Sequence, residues 1–187
     1  MGKNNLQATT EGAIIVALAM ALSYVPHSAG VSSIEFLYGI IPLVIYALRR
    51  GPRAGIIAGI SWGLLDLILR GIGDGSVLNP WQGLLEYPVA FGLLGIAGYW
   101  SVQLRKHLSS WKQTFWIILT AGTVAIFAKY LVHFFAGAIF WGAYAPKGMN
   151  AWIYSLVVNG GSAIANILLL AVILLPLKNV IVKLVKA

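Results

Sequence analysis

Between Lys129 and Asn159 the chain sets Lys129, His133, Trp141, Tyr154 and Asn159 into a stretch otherwise apolar enough for hydrocarbon. On a helix, Lys129, His133, Gly137 and Trp141 recur every fourth residue and share one face, reading cation, imidazole, gap, indole. Polar and ionisable groups at such depth are costly and usually point into a protein interior or a wet cavity, so this face is a candidate pocket wall. A second group, Glu86-Tyr87, lies in another apolar run. An ionised Glu86 there needs a cation, either Lys129 or a ligand. Trp141, with Phe36 and Tyr87, offers π faces suited to a flat heteroaromatic ring or a fixed positive charge. His133, Tyr154 and Asn159 add directional donors and acceptors, so the set describes a ligand that is aromatic, polar at its edge and cationic. Each residue also has a plainer reading. Tyr and Trp anchor helix ends at membrane interfaces, Asn bonds neighbouring helices, His133 can be a satisfied packing residue and Glu86 can pair with Lys129.

The elements that position these groups follow from composition. The chain has 187 residues, 59% of them hydrophobic and only 10% charged, against roughly 25% charged in a soluble domain. This is the composition of an integral membrane protein, and at about 20 residues per crossing it has room for six spans and no soluble domain. Residues 1–187 therefore read as a single all-α membrane domain, a bundle of six transmembrane helices. With no cysteine, neither disulfides nor thiolate metal sites are available. The net charge of +8 sits in turns between apolar runs, as topology determinants do, rather than in a patch for nucleic acid. Lys3, the following apolar run and Ala19-Met20-Ala21 resemble a cleavable signal peptide, but the further spans favour a retained first helix.

The expected spans are 8–25, 36–48, 54–69, 81–104, 114–140 and 151–177. The first carries Ala13, Ala17 and Ala21 at every fourth position, a small-residue stripe that admits close helix approach, either within this chain or to a partner subunit. His27 to Ser33 reads as a polar loop over one end of the bundle. The second span is too short to cross a ~30 Å core unaided, and Pro42 is expected to kink it. The glycine-rich turn around Gly71 to Gly75 is a weak match to a nucleotide loop and reads as a flexible turn. Trp81 opens the fourth span at interfacial depth, and a basic tail with Lys178, Lys183 and Lys186 closes the chain.

Basic residues fix the orientation. The N-terminus, the turns at 49–53 and 105–112 and the tail hold one, three, three and three, ten of the 13. Arg70 and Lys147 fall on the other side and Lys129 is internal, so both termini face the cytoplasm. Phe36, Glu86, Tyr87, His133, Gly137, Trp141, Tyr154 and Asn159 then all lie in the outer half, as a capture site open to the external medium requires. No HExxH or other metal-ligand spacing occurs, and His27 and His107 are assigned to opposite sides. No phosphate loop occurs, so the chain cannot itself use ATP. Asp66, four residues before Arg70, reads as half of a helix-surface pair, with a role in a proton path as the lesser reading.

Taken together, LLEYP at Leu84–Pro88, HFFAGAIFWG at His133–Gly142, Tyr154 followed by Asn159, and the alanine-rich first helix ending in SYVPH at Ser23–His27 resemble the thiamine-specific S-components of energy-coupling factor transporters. The resemblance spans the whole chain. It implies a six-helix vitamin-capture subunit of a bacterial plasma membrane, not an enzyme, with Glu86, Tyr87, His133, Gly137, Trp141, Tyr154 and Asn159 around thiamine. It implies an aromatic lid from the first loop, where the family's tryptophan is matched here by Phe36. The family's second tryptophan after helix five has no counterpart in Ala143-Tyr144-Ala145-Pro146-Lys147. Implied partners are a transmembrane coupling protein, docked on Ala13, Ala17 and Ala21, and two cytoplasmic ATPases that alone use ATP. No cofactor or catalytic residue is implied. The rival readings are the same architecture for another vitamin or a thiamine precursor such as hydroxymethylpyrimidine, a membrane-embedded enzyme using Glu86 and His133 as acid and base, and a solitary transporter or channel.

Overall fold

The computed structural model describes residues 3–26, 34–73 and 75–186, and every described element is helical or turn. The His27 to Ser33 loop and Asp74 lie outside the described residues. The elements are α1 (Lys3–Leu22), α2 (Ile40–Arg50), α3 (Pro52–Asp66), a segmented rod α4 (residues 80–106), α5 (Trp111–Phe140), α6 (Ala151–Leu174) and α7 (Lys178–Lys186). Three of them are long and apolar enough to cross a membrane: α3 with its extension to Gly71, α5 and α6.

The bundle is built around α2. Seven of its 11 residues are buried, including Ile40, Leu43, Val44, Ala47 and Leu48. That resolves its shortness, because non-helical backbone is tolerated at membrane depth when it is covered by protein. The strand of chain leading into α2 is held by α6: Ser162 Oγ accepts from Glu35 N at 3.0 Å, Asn166 Oδ1 accepts from Leu37 N at 2.7 Å, and Asn166 Nδ2 donates to Glu35 O at 2.7 Å. Pro42 does not kink the helix as expected. It falls in the first turn, where its missing N–H would have had no helical partner.

The α1 stripe faces away from the rest of the bundle. Ala13, Ala17 and Ala21 are exposed, while Gly12, Val16, Ala19 and Met20 face the core. At the far end of this contact Tyr46 Oη donates to Ala8 O at 2.7 Å, and Glu11 accepts from Arg49 at 3.0 Å and from Arg50 at 2.7 Å. Arg105 Nη2 donates to Arg49 O at 2.5 Å, so the basic turns at 49–53 and 105–112 meet at one end.

Helix α4 starts cleanly and then departs from α geometry twice. Asn79 Oδ1 accepts from Trp81 N and Gln82 N, both at 3.0 Å, and Pro80 occupies the first turn. Leu85–Val89 then forms a π turn around Pro88, which lacks the N–H an α ladder needs. Leu94–Trp100 tightens to 3₁₀, an unusually long run. Gly95 and Gly92 lie against Gly55 and Gly59 of α3, Gly98 lies against Gly51 and Pro52 at the start of α3, and Gly63 lies against Tyr87 and Pro88. A Cβ at Gly59 would collide with Phe91 O, one at Gly63 would stand 2.5 Å from Tyr87 O, and one at Gly95 would strike Ile56 N. Close helix approach through small residues is how helices associate where lipid removes the hydrophobic drive.

The basic tail after α6 is a helix, α7, with Ile181 and Val185 buried four residues apart. The chain breaks between α6 and α7 at Leu175–Leu177, around Pro176.

Gly95→Ala is expected to destabilise the protein by about 1–3 kcal/mol through overpacking. Gly160→Ala, whose Cβ meets only Leu156 Cδ1 at 3.8 Å, should be neutral or mildly stabilising. Unfolding midpoints of the two variants in detergent check the pair, and equal midpoints would remove the glycine contact as a stability determinant.

Candidate functional site

A cavity of about 320 Å³ opens between the end of α5, the start of α6 and the π turn of α4. Its walls are Glu86, Gly137, Trp141, Tyr144, Tyr154, Ser155, Val158 and Asn159. Five of the eight residues singled out from sequence therefore converge here: Glu86, Gly137, Trp141, Tyr154 and Asn159.

Glu86 is the buried charge of the set, only 9% exposed. Its carboxylate is not paired with Lys129. Trp141 Nε1 donates to both its oxygens, at 3.1 Å to Oε1 and 3.2 Å to Oε2, and Gln82 Nε2 donates to Oε2. The π turn matters here, since the widened backbone carries Glu86 inward while Pro88 behind it is buried. Trp141 caps α5 with φ −101° and ψ 5°, ending the helix so that the indole swings toward α4. A short 3₁₀ turn, Gly142–Tyr144, then brings Tyr144 beside it, ring centroids 5.3 Å apart. Tyr144 thus supplies a second aromatic wall after α5, where the resemblance implies a tryptophan.

On the opposite side α5 and α6 touch through Gly137, where a Cβ would collide with Ser155 Oγ. Ser155 Oγ donates to Phe134 O at 2.7 Å and accepts from Asn159 Nδ2 at 3.1 Å, while Asn159 Nδ2 also donates to His133 O at 3.2 Å. The amide nitrogen of Asn159 is thereby committed to the protein, which leaves its oxygen as the group available to a ligand. Asn150 caps α6 by accepting from Trp152 N at 2.8 Å and so fixes the entry of Tyr154 and Ser155.

Phe36, Tyr87 and His133 do not line the cavity. Phe36 precedes α2 on the segment clamped by Ser162 and Asn166, half-buried. Tyr87 points to α3, its ring against Gly71 and stacked on Phe91 with centroids 6.4 Å apart. His133 lies beneath the cavity floor, with Nε2 3.0 Å from Lys129 Nζ. Lys129 is fully buried, its ammonium 4.0 Å from the Tyr130 ring centroid and 5.0 Å from that of Phe91, in the field of Glu35, Glu86 and Asp66. Asp66 pairs with Arg70 at 3.0 Å as the spacing predicts, but it is buried rather than on the helix surface. Ser155, Tyr144, Val158 and Gln82 were not found from sequence. For Ser155 the available signal was its position one turn before Asn159, and for Gln82 its position one turn before Glu86.

A family model described as thiamine transporter protein (Thia_YuaJ) matches residues 9–186. The chain belongs to this family. It is 53% identical over 165 residues to the thiamine transporter ThiT of Lacticaseibacillus paracasei, covering 87% of this chain and 82% of that protein. It is 34% identical over 136 residues to ThiT of Bacillus subtilis, covering 72% and 69% respectively. A solved structure of ThiT from Listeria monocytogenes matches with a TM-score of 0.88 and 35% identity, across 97% of this chain and 98% of that one. The family is one of transport proteins rather than enzymes, and the resemblance read from LLEYP, HFFAGAIFWG and the Tyr154–Asn159 spacing led to the right one.

Lys129→Met should destabilise the protein by about 1–3 kcal/mol, because His133 loses its partner and the nearby carboxylates lose their buried counter-charge. Lys147, in the exposed loop before α6, should tolerate the same change. Denaturation of both variants in detergent tests this, and a stable Lys129→Met would show that the cation is not needed for folding.

Proposed function

We propose that this chain is a thiamine-binding S-component of an energy-coupling factor transporter, capturing the vitamin at the outer face of the cell membrane. The observation that carries the proposal is the convergence of Glu86, Gly137, Trp141, Tyr154 and Asn159 on one cavity of ligand size. Thiamine suits these walls. Its aminopyrimidine edge offers donors to Glu86 and to the free oxygen of Asn159, and its thiazolium meets the faces of Trp141 and Tyr144. In this reading Phe36, Tyr87 and His133 touch the vitamin only if their side chains turn toward the cavity.

Six crossings are assigned to α1, α2, α3, α4, α5 and α6, with α7 at the cytoplasmic surface. The end where Arg49, Arg50 and Arg105 meet, together with the lysines of α7, faces inward by the positive-inside rule. The cavity is at the opposite end. Both termini are then cytoplasmic and the site is external. Energy comes from a transmembrane coupling protein and two ATPase subunits, and the exposed stripe of Ala13, Ala17 and Ala21 is the face offered to the coupling protein. Its exposure favours a partner over packing within the chain.

Trp141→Ala and Glu86→Gln are each expected to weaken thiamine binding at least tenfold, about 1.4 kcal/mol. Titration of purified protein reads this, and unchanged curves for both variants would withdraw the pocket. Competition with hydroxymethylpyrimidine separates vitamin from precursor, since equal affinity for both would favour the precursor. Ala17→Trp should bind thiamine normally yet lose uptake in the assembled complex; normal uptake would exclude α1 as the docking face.

A further inference from the structure

We propose that Gln82 is a positioning residue that fixes Glu86 as a hydrogen-bond acceptor and ties its orientation to the outer loop backbone at Ser76–Leu78. The inference rests on the assignment of Glu86 to the ligand site. Gln82 itself does not line the cavity. It is fully buried one turn before Glu86, and every polar atom of its amide is engaged. Its Oε1 accepts from Leu78 N at 3.0 Å, and its Nε2 donates to Ser76 O at 3.1 Å and to Glu86 Oε2.

The loop decides which way round this amide lies. A backbone N–H can only donate and a carbonyl can only accept, so Leu78 N demands the amide oxygen and Ser76 O demands the amide nitrogen. The NH₂ group is then the end turned to Glu86. Trp141, a donor only, approaches the same carboxylate from α5. Two donors from two helices thus hold the carboxylate as an acceptor and aim its remaining lone pairs at the cavity, where they select a ligand bearing N–H groups or positive charge. A flipped amide would place oxygen against oxygen at both Ser76 and Glu86, so the loop and the site stand or fall together.

The test is a double-mutant cycle on full-length purified protein, with thiamine titration as the readout. Gln82→Met is expected to weaken thiamine about tenfold by releasing Glu86, and Gln82→Asn, whose shorter chain withdraws the amide, should do the same while keeping a polar core. In the Glu86→Gln background neither substitution should cost more than about a further twofold, because the interaction through which Gln82 acts has already been changed. Additive losses in the double variants, or wild-type affinity in Gln82→Met and Gln82→Asn, overturn the positioning role. Wild-type affinity in Glu86→Gln overturns the site assignment and this inference with it, whereas additivity beside an impaired Glu86→Gln overturns this inference alone. As a second readout, hydrogen exchange at residues 76–78 should slow when thiamine binds the wild type. It should be fast and insensitive to thiamine in Gln82→Met.

Discussion

A carboxylate buried in a bundle surrounded by hydrocarbon must be met by donors, and the arrangement around Glu86 follows from that constraint. Desolvating an ion costs several kcal/mol even after relaxation, which only good hydrogen-bond geometry offsets. The indole of Trp141 and the amide of Gln82 supply that geometry from two separate helices. To bring them together α5 has to end at Phe140, so that Trp141 turns across, and α4 has to widen into a π turn, so that Glu86 faces inward. The site is therefore made at helix irregularities, which is where backbone freed from the regular ladder can re-aim a side chain.

Those irregularities are held in place by close backbone contact elsewhere. The glycines of α3 and of the 3₁₀ part of α4 let two backbones touch along their length, with Gly63 against the carbonyl of Tyr87 inside the π turn itself. Contact this close leaves little room for α4 to slide or rotate, since cores resist displacement as organic crystals do. Below the cavity a second layer, Lys129 and His133 with Tyr130 and Asn166 beside them, links α5 to α6 and to the segment entering α2. Packing and polar layer together fix the walls of the cavity relative to one another.

The outside of the bundle carries the complementary logic. Large apolar side chains such as Ile14, Leu18, Ile57, Phe127 and Leu168 are exposed, as a lipid-facing surface requires. Among them Ala13, Ala17 and Ala21 present only methyl groups along one strip.

The sequence by itself determined the membrane class, the all-helical fold, the family and five of the residues that line the cavity. Composition and period are local properties, and LLEYP and the 133–142 stretch are read directly along the chain. Helix bounds followed to within a few residues for α3, α5 and the start of α6. The 81–104 span was legible as a helix, but not its π and 3₁₀ sections, because those depend on what presses against it from α3. Tertiary structure alone decided that Glu86 answers to Trp141 and Gln82 rather than Lys129, and that Phe36, Tyr87 and His133 stand back from the cavity. It also decided that Tyr144 and Ser155 line the cavity and that the basic tail is a helix with its own Ile181 and Val185 buried. Spacing tells which side chains share a helix face, but which way that face is turned is fixed only when another helix arrives to meet it.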